Sequence, residues 1–143
     1  MSTIKIMALG GVRENGKNLY IAEVNEHIFV LDAGAKYPEN EQLGVDVVVP
    51  NFDYLEENKH RVAGVFLSHG HADAIGALPY LLEKVKVPVF GSHLTIELAK
   101  LLDQGGIMLL RNLMISMLSM LKLKLISEIQ WYLLFQTNHS IPE

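Results

Sequence analysis

The chain has 143 residues, half of them hydrophobic and a fifth charged, with a net charge of −4 and no cysteine. That is a one-domain length, enough to bury roughly two thirds of the chain surface, and a globular rather than a disordered composition. No basic tract announces a nucleic-acid partner. Disulfides and thiolate metal ligands are excluded, so any metal must sit on histidine and carboxylate side chains.

The opening Met1-Ser2-Thr3-Ile4-Lys5 has no signal-peptide pattern. The most apolar stretch, 107–126, is interrupted by Arg111, Asn112, Lys122 and Lys124. Central charges of this kind cost ~2.5–3.5 kcal/mol each in a membrane span. The expectation is no transmembrane helix, no membrane partner and a cytoplasmic location.

Residues 4–9 form an apolar run ending at Gly10-Gly11, which predicts a strand and a turn. Residues 18–24 and 27–31 read as two further strands, joined by a tight hairpin at Asn25-Glu26. Asp32-Ala33-Gly34 follows at once, then a polar loop with Pro38, Glu39, Asn40 and Glu41. Residues 45–49 are β-branched and end at Pro50, and 52–60 predict a short helix capped by Asn51 or Asp53.

Residues 64–68 predict a buried strand leading into His69-Gly70-His71-Ala72-Asp73. Ile75, Leu78, Leu82 and Val85 have helical spacing over 75–85, with Pro79 near the start where proline is tolerated. A strand over 87–90 and an amphipathic helix over 94–102 complete a strand–helix alternation, the pattern of a layered α/β domain.

After Gly106 the texture changes. Residues 107–135 hold no Gly, Pro or Asp, a single acidic residue (Glu128), and four of the six methionines. The residues alone suggest a Met-rich core helix. A coding-level reading differs. With a suitable choice of codons, back-translation read one base upstream can turn Ile126 to Leu133 into DFGNTVVS, and the same shift from Arg111 can yield KKFNDFHVIDAKTEIDFGNTVVSFF, a string with a turn and alternating strands. The expectation is a compensated frameshift over roughly 105–135.

The strongest local signal is the His69-Gly70-His71-Ala72-Asp73 run at a strand end, where α/β layers collect ligands and metals. Two imidazoles and a carboxylate suit zinc or manganese. Gly10-Gly11 with Gly16-Lys17 lacks the spacing of a phosphate-binding loop and reads as a tight turn near the cleft. His27, His60 and His93 are isolated and read as surface residues, and Glu56-Glu57 with Lys59 as a solvated helix face.

The HxHxD run resembles the HxHxDH signature of the metallo-β-lactamase superfamily except at its last position, Ala74. The likeness extends to the ribonuclease J family, a metallo-β-lactamase/β-CASP group of ribonucleases. Gly10 to Asn18 resembles that family's glycine-rich opening, Val30-Leu31-Asp32-Ala33-Gly34 its strand-end aspartate, and Tyr37 to Asn40, Leu43 to Asp46 and Val49-Pro50 its next loop. Ser68 to Tyr80 is the densest match. The resemblance covers 4–104 nearly continuously and resumes at His139-Ser140-Ile141-Pro142-Glu143, and the shifted string is similar to the family segment expected between.

This resemblance implies an α/β fold, the N-terminal part of an αββα sandwich, truncated. Its parts would be a metallo-β-lactamase-like N-terminal half over 1–104, an aberrant segment over 105–138 and the resumed motif over 139–143. It implies His69, His71 and His139 as imidazole ligands of a first zinc or manganese ion, Asp73 as a ligand of a second, and His71 with Asp73 as catalytic residues. Asp32 would orient the metal loop. The implied activity is metal-dependent RNA phosphodiester hydrolysis, exo- and endonucleolytic, in RNA processing and decay.

Ala74 stands where the full motif has a second-metal histidine, and the second paralogue of Gram-positive bacteria, streptococci especially, shares this HGHADAIG form. The second metal site is therefore expected to be weak or absent and the chain weakly active or inactive. The alternatives are a non-catalytic subunit that pairs with a full-length ribonuclease J, or a non-functional truncated product. RNA and a homo- or hetero-oligomer are the expected partners.

Overall fold

The computed structural model describes residues 3–38, 43–102 and 114–116. Side-chain alternation is plainest in the second of its first three strands. In β2 (Leu19–Val24) the residues Leu19, Ile21 and Glu23 point inward while Tyr20 is exposed, the two-residue period of a half-buried strand. β1 (Ile4–Gly10) and β3 (His27–Leu31) flank it in antiparallel register, Ile6 opposite Ala22 and Ala22 opposite Phe29. The hairpin between β2 and β3 turns on Asn25 at φ +56°, a left-handed conformation that asparagine tolerates.

From β3 onward the sheet is parallel. β4 (Val62–Phe66) pairs with β3, β5 (Val89–Gly91) with β4, and β6 (Met114–Ser116) with β5, in the spatial order β1-β2-β3-β4-β5-β6. The helices are α1 (Asp53–Glu57), followed by a 3-10 turn over Lys59–Arg61, then α2 (Ala72–Ile75), α3 (Leu78–Lys84) and α4 (His93–Leu102). Leu55, Leu81, Leu82 and Ile96 from the helices join Ile21, Ile28, Val30, Val65 and Val89 from the sheet in one buried cluster. By alternation, Phe29 faces away from it, and the Phe29, Phe66 and Phe90 rings run across three strands with centroids 6.0 and 4.9 Å apart. This mixed sheet with flanking helices is the expected α/β architecture.

The expected elements shift in four places. The helix over 75–85 divides into α2 and α3, because the Ala77 N–H is taken by the Ala33 carbonyl at 2.8 Å and Pro79 has no N–H to give. Residues 45–49 form no strand, only a bridge between Val48 and Lys36. α1 covers only Asp53–Glu57 of the expected 52–60, and its N-cap is Phe52, with no side-chain cap bond, rather than Asn51 or Asp53, although Asn51 Oδ1 accepts the Asp53 N–H at 2.7 Å. Within the Met-rich segment, Met114–Ser116 is strand rather than helix. The rest of the proposed frameshift, and His139, lie outside the described residues.

No helix among the described residues is long and apolar enough to cross a membrane. Among them, every buried side-chain polar atom has a hydrogen-bond partner. Stability therefore follows apolar packing. Leu81→Ala should cost about 2–5 kcal/mol in urea unfolding. Leu43→Ala, at a side chain 93% exposed, should stay within about 0.5 kcal/mol.

Candidate metal centre

The centre forms where β3 and β4 end side by side. Asp32 leaves β3 at φ +61°, left-handed for a residue with a side chain, and its N–H donates to the Phe66 carbonyl at 3.0 Å. The next three residues then run along the loop that follows β4. Ala33 N–H bonds the Ala74 carbonyl at 2.7 Å, Ala35 N–H the Ala72 carbonyl at 3.0 Å, and Gly34 N–H the Asn18 carbonyl at 2.8 Å. Asn18 N–H closes the arrangement on the Asp73 carbonyl at 3.1 Å. Gly34 is required here by space, since a Cβ on it would lie 1.6 Å from the Asp73 carbonyl oxygen.

This main-chain seam carries the expected ligands. The donor atoms of His69, His71 and Asp73 all lie within 4.8 Å of one another, each residue half-buried. The His69 and His71 rings meet edge to face, centroids 4.9 Å apart at 81°. Asn18 Nδ2 donates to Asp73 Oδ2 at 2.9 Å and so sets the rotation of that carboxylate. Asp32 receives the Ser68 N–H at 2.7 Å on one oxygen and the Ser68 hydroxyl at 2.8 Å on the other. Ser68 Oγ in turn lies 2.8 Å from His69 Nδ1. Imidazole nitrogens and a carboxylate oxygen this close suit one borderline divalent ion, so the residues present fit the metal the motif implies.

His71 and Asp73, the two residues expected to be catalytic, line an open cleft of about 630 Å³ with Asn15, Gly16, Lys36 and Tyr37. The glycine-rich opening is thus the expected turn beside the cleft, with Gly11 and Gly16 at φ +76° and +89°. Lys17 pairs with Glu14 at 2.9 Å. His27, His60 and His93 are exposed, away from the cluster. Ala74 is fully buried within the hydrophobic core. Methyl carbon has no lone pair, so this position adds no donor to the cluster.

The family model for the metallo-beta-lactamase superfamily matches residues 12–110. The chain belongs to that superfamily. Within it, the expected likeness to ribonuclease J proteins is found. Ribonuclease J 2 of Streptococcus pyogenes is 72% identical over 101 residues, covering 71% of this chain and 18% of that protein. Ribonuclease J 2 of Staphylococcus epidermidis is 56% identical over 97 residues, covering 68% and 17%. The chain therefore spans less than a fifth of the length of these curated relatives. A solved structure described as the peroxy diiron species of chemotaxis sensor ODP has a TM-score of 0.46 at 17% identity, covering 79% of this chain and 40% of that one.

Asn18 and Ser68 were not singled out by spacing or motif chemistry. Each lies at the border of a matched segment, but its partner is 55 or 36 residues away in the chain, beyond any local pattern. Asp32 was expected to orient the loop, and its carboxylate does hold Ser68. Burial raises its pKa above the ordinary 3.8, while the two Ser68 bonds and His69 pull it back down.

A raised carboxyl favours the folded state below its ordinary pKa, and that contribution is lost as pH rises through the higher folded value. In metal-free protein, the stability advantage of the native chain over Asp32→Asn should therefore shrink as pH climbs upward from 3.8 in urea titrations. Gly34→Ala should lose at least roughly 2 kcal/mol in the same measurement, because the Asp73 loop cannot give way without breaking the seam.

Proposed function

We propose that this chain carries the first-metal part of a metal-dependent RNA phosphodiester hydrolase site of the ribonuclease J type. The observation that supports it most directly is the convergence of His69, His71 and Asp73 donor atoms at the end of β4. The RNA substrate and the exo- and endonucleolytic activity come from the likeness to proteins named Ribonuclease J 2. Zinc or manganese is the ion proposed, with His139 as a further imidazole ligand and the cytoplasm as the location.

In this reading His69 and His71 give imidazole nitrogens to the ion, and the Asp73 carboxylate, expected at a second ion, lies close enough to reach the same one. Asn18 holds the Asp73 carboxylate in one rotation. Lys36 and Tyr37 stand on the cleft wall beside His71 and Asp73, where a cation and an aromatic ring suit a phosphate and a base. When bound, a divalent ion supplies Lewis acidity and lowers the pKa of a coordinated water.

Ala74, buried and without a donor, supports weak or no activity for this chain; the alternative is a non-catalytic subunit that pairs with a full-length ribonuclease J. A site without that donor holds one ion better than two. Elemental analysis after zinc loading should therefore give about one ion per chain, lost in His71→Ala. A 5′-labelled RNA should be turned over slowly or not at all by the chain alone. Two ions per chain with rapid turnover would overturn the weak-activity reading, and no ion at all would overturn the metal site.

A further inference from the structure

We propose that Ser68 is a positioning residue that fixes His69 as the tautomer protonated on Nδ1 and so leaves Nε2 as its ligand atom. The inference rests on the reading of His69 as a metal ligand. It follows from counting protons. Ser68 Oγ lies 2.8 Å from Asp32 Oδ2 and 2.8 Å from His69 Nδ1. A hydroxyl has one proton to donate, and an ionised carboxylate can only accept. The Ser68 proton therefore goes to Asp32, and Oγ meets Nδ1 as an acceptor. Nδ1 must then carry the hydrogen, which leaves the lone pair of the neutral imidazole on Nε2.

The direction of this chain is set from outside the metal loop. Asp32 stands at the end of β3, its N–H bonded to Phe66 at 3.0 Å, and its other oxygen takes the Ser68 N–H at 2.7 Å. With that oxygen engaged, the carboxylate faces the serine hydroxyl in one orientation. A ligand imidazole whose remote N–H is held by an acceptor is fixed in ring orientation and becomes a better donor. Here the acceptor is a hydroxyl that a carboxylate polarises, so charge on Asp32 reaches the ligand nitrogen without Asp32 touching the imidazole.

The test is a nitrogen–proton correlation spectrum of the metal-free 143-residue chain, with the His69 signals assigned by comparison with His69→Gln. The expected result is a proton on His69 Nδ1. In Ser68→Ala the population moves toward Nε2–H, and zinc affinity, read by competition with a chromophoric chelator, falls about tenfold or more. Ser68→Thr, which keeps the hydroxyl, restores both. An amide spectrum of the same samples confirms that each variant is folded.

A native chain protonated on Nε2 would overturn the proposal, since it would mean that the Asp32 carboxyl donates to Ser68 and Ser68 donates to the ring. An unchanged tautomer and unchanged affinity in Ser68→Ala would overturn it equally. If the native chain takes up no zinc, the metal reading of the site falls, and the tautomer spectrum alone then decides the role of Ser68.

Discussion

The structure depends on a seam of main-chain hydrogen bonds between residues 33–35 and the loop after β4. Two strand ends lie next to each other only because β3 and β4 are parallel neighbours, Leu31 opposite Phe66. Past those ends the sheet ladder stops, yet the backbone groups still need partners once they are buried. Ala33 and Ala35 find them on Ala74 and Ala72, and Gly34 and Asn18 find them on each other and on Asp73. The segment that carries two imidazoles and a carboxylate, the loop after β4 and the start of α2, is thus held by main-chain bonds without strand geometry. Gly34 makes this approach possible because the Asp73 carbonyl occupies the space of its absent side chain.

The side chains add a second level of constraint. Asp32 engages the residue before the first imidazole, and Asn18 engages the carboxylate two residues after the second. The two ends of the His69–Asp73 run are therefore gripped from two different elements, β3 and the turn before β2. The cluster is preorganised in the physical sense that its ligand atoms already lie within 4.8 Å of one another. The cost is the left-handed backbone of Asp32 and the desolvation of its carboxylate, which the Ser68 bonds offset.

Much of this was legible in the sequence. The β2–β3 hairpin stands out because two apolar segments are separated by Asn25-Glu26, and β3 runs from His27 to Leu31, the range the sequence predicts. The grouping of His69, His71 and Asp73 was legible because these residues lie within one short run. What stayed hidden depends on contacts distant in sequence. The break between α2 and α3 follows from Ala33 capturing the Ala77 N–H, while the apolar spacing of Ile75, Leu78 and Leu82 continues through it. Val45–Val49 has strand composition but only the single bridge at Val48, so its propensity goes unused. Ser68 reads as an ordinary polar residue until Asp32 is placed beside it.

Ala74 shows why scaffold and chemistry separate in this loop. Its contribution to the seam is a carbonyl that accepts the Ala33 N–H at 2.7 Å, and its methyl group fills part of the core. Neither role asks for a metal-binding side chain. The backbone can therefore keep its path, and hold His69, His71 and Asp73 together, with a side chain at position 74 that offers no donor. Main-chain bonds constrain where residue 74 lies, whereas only its side chain determines whether a second ion has a ligand there.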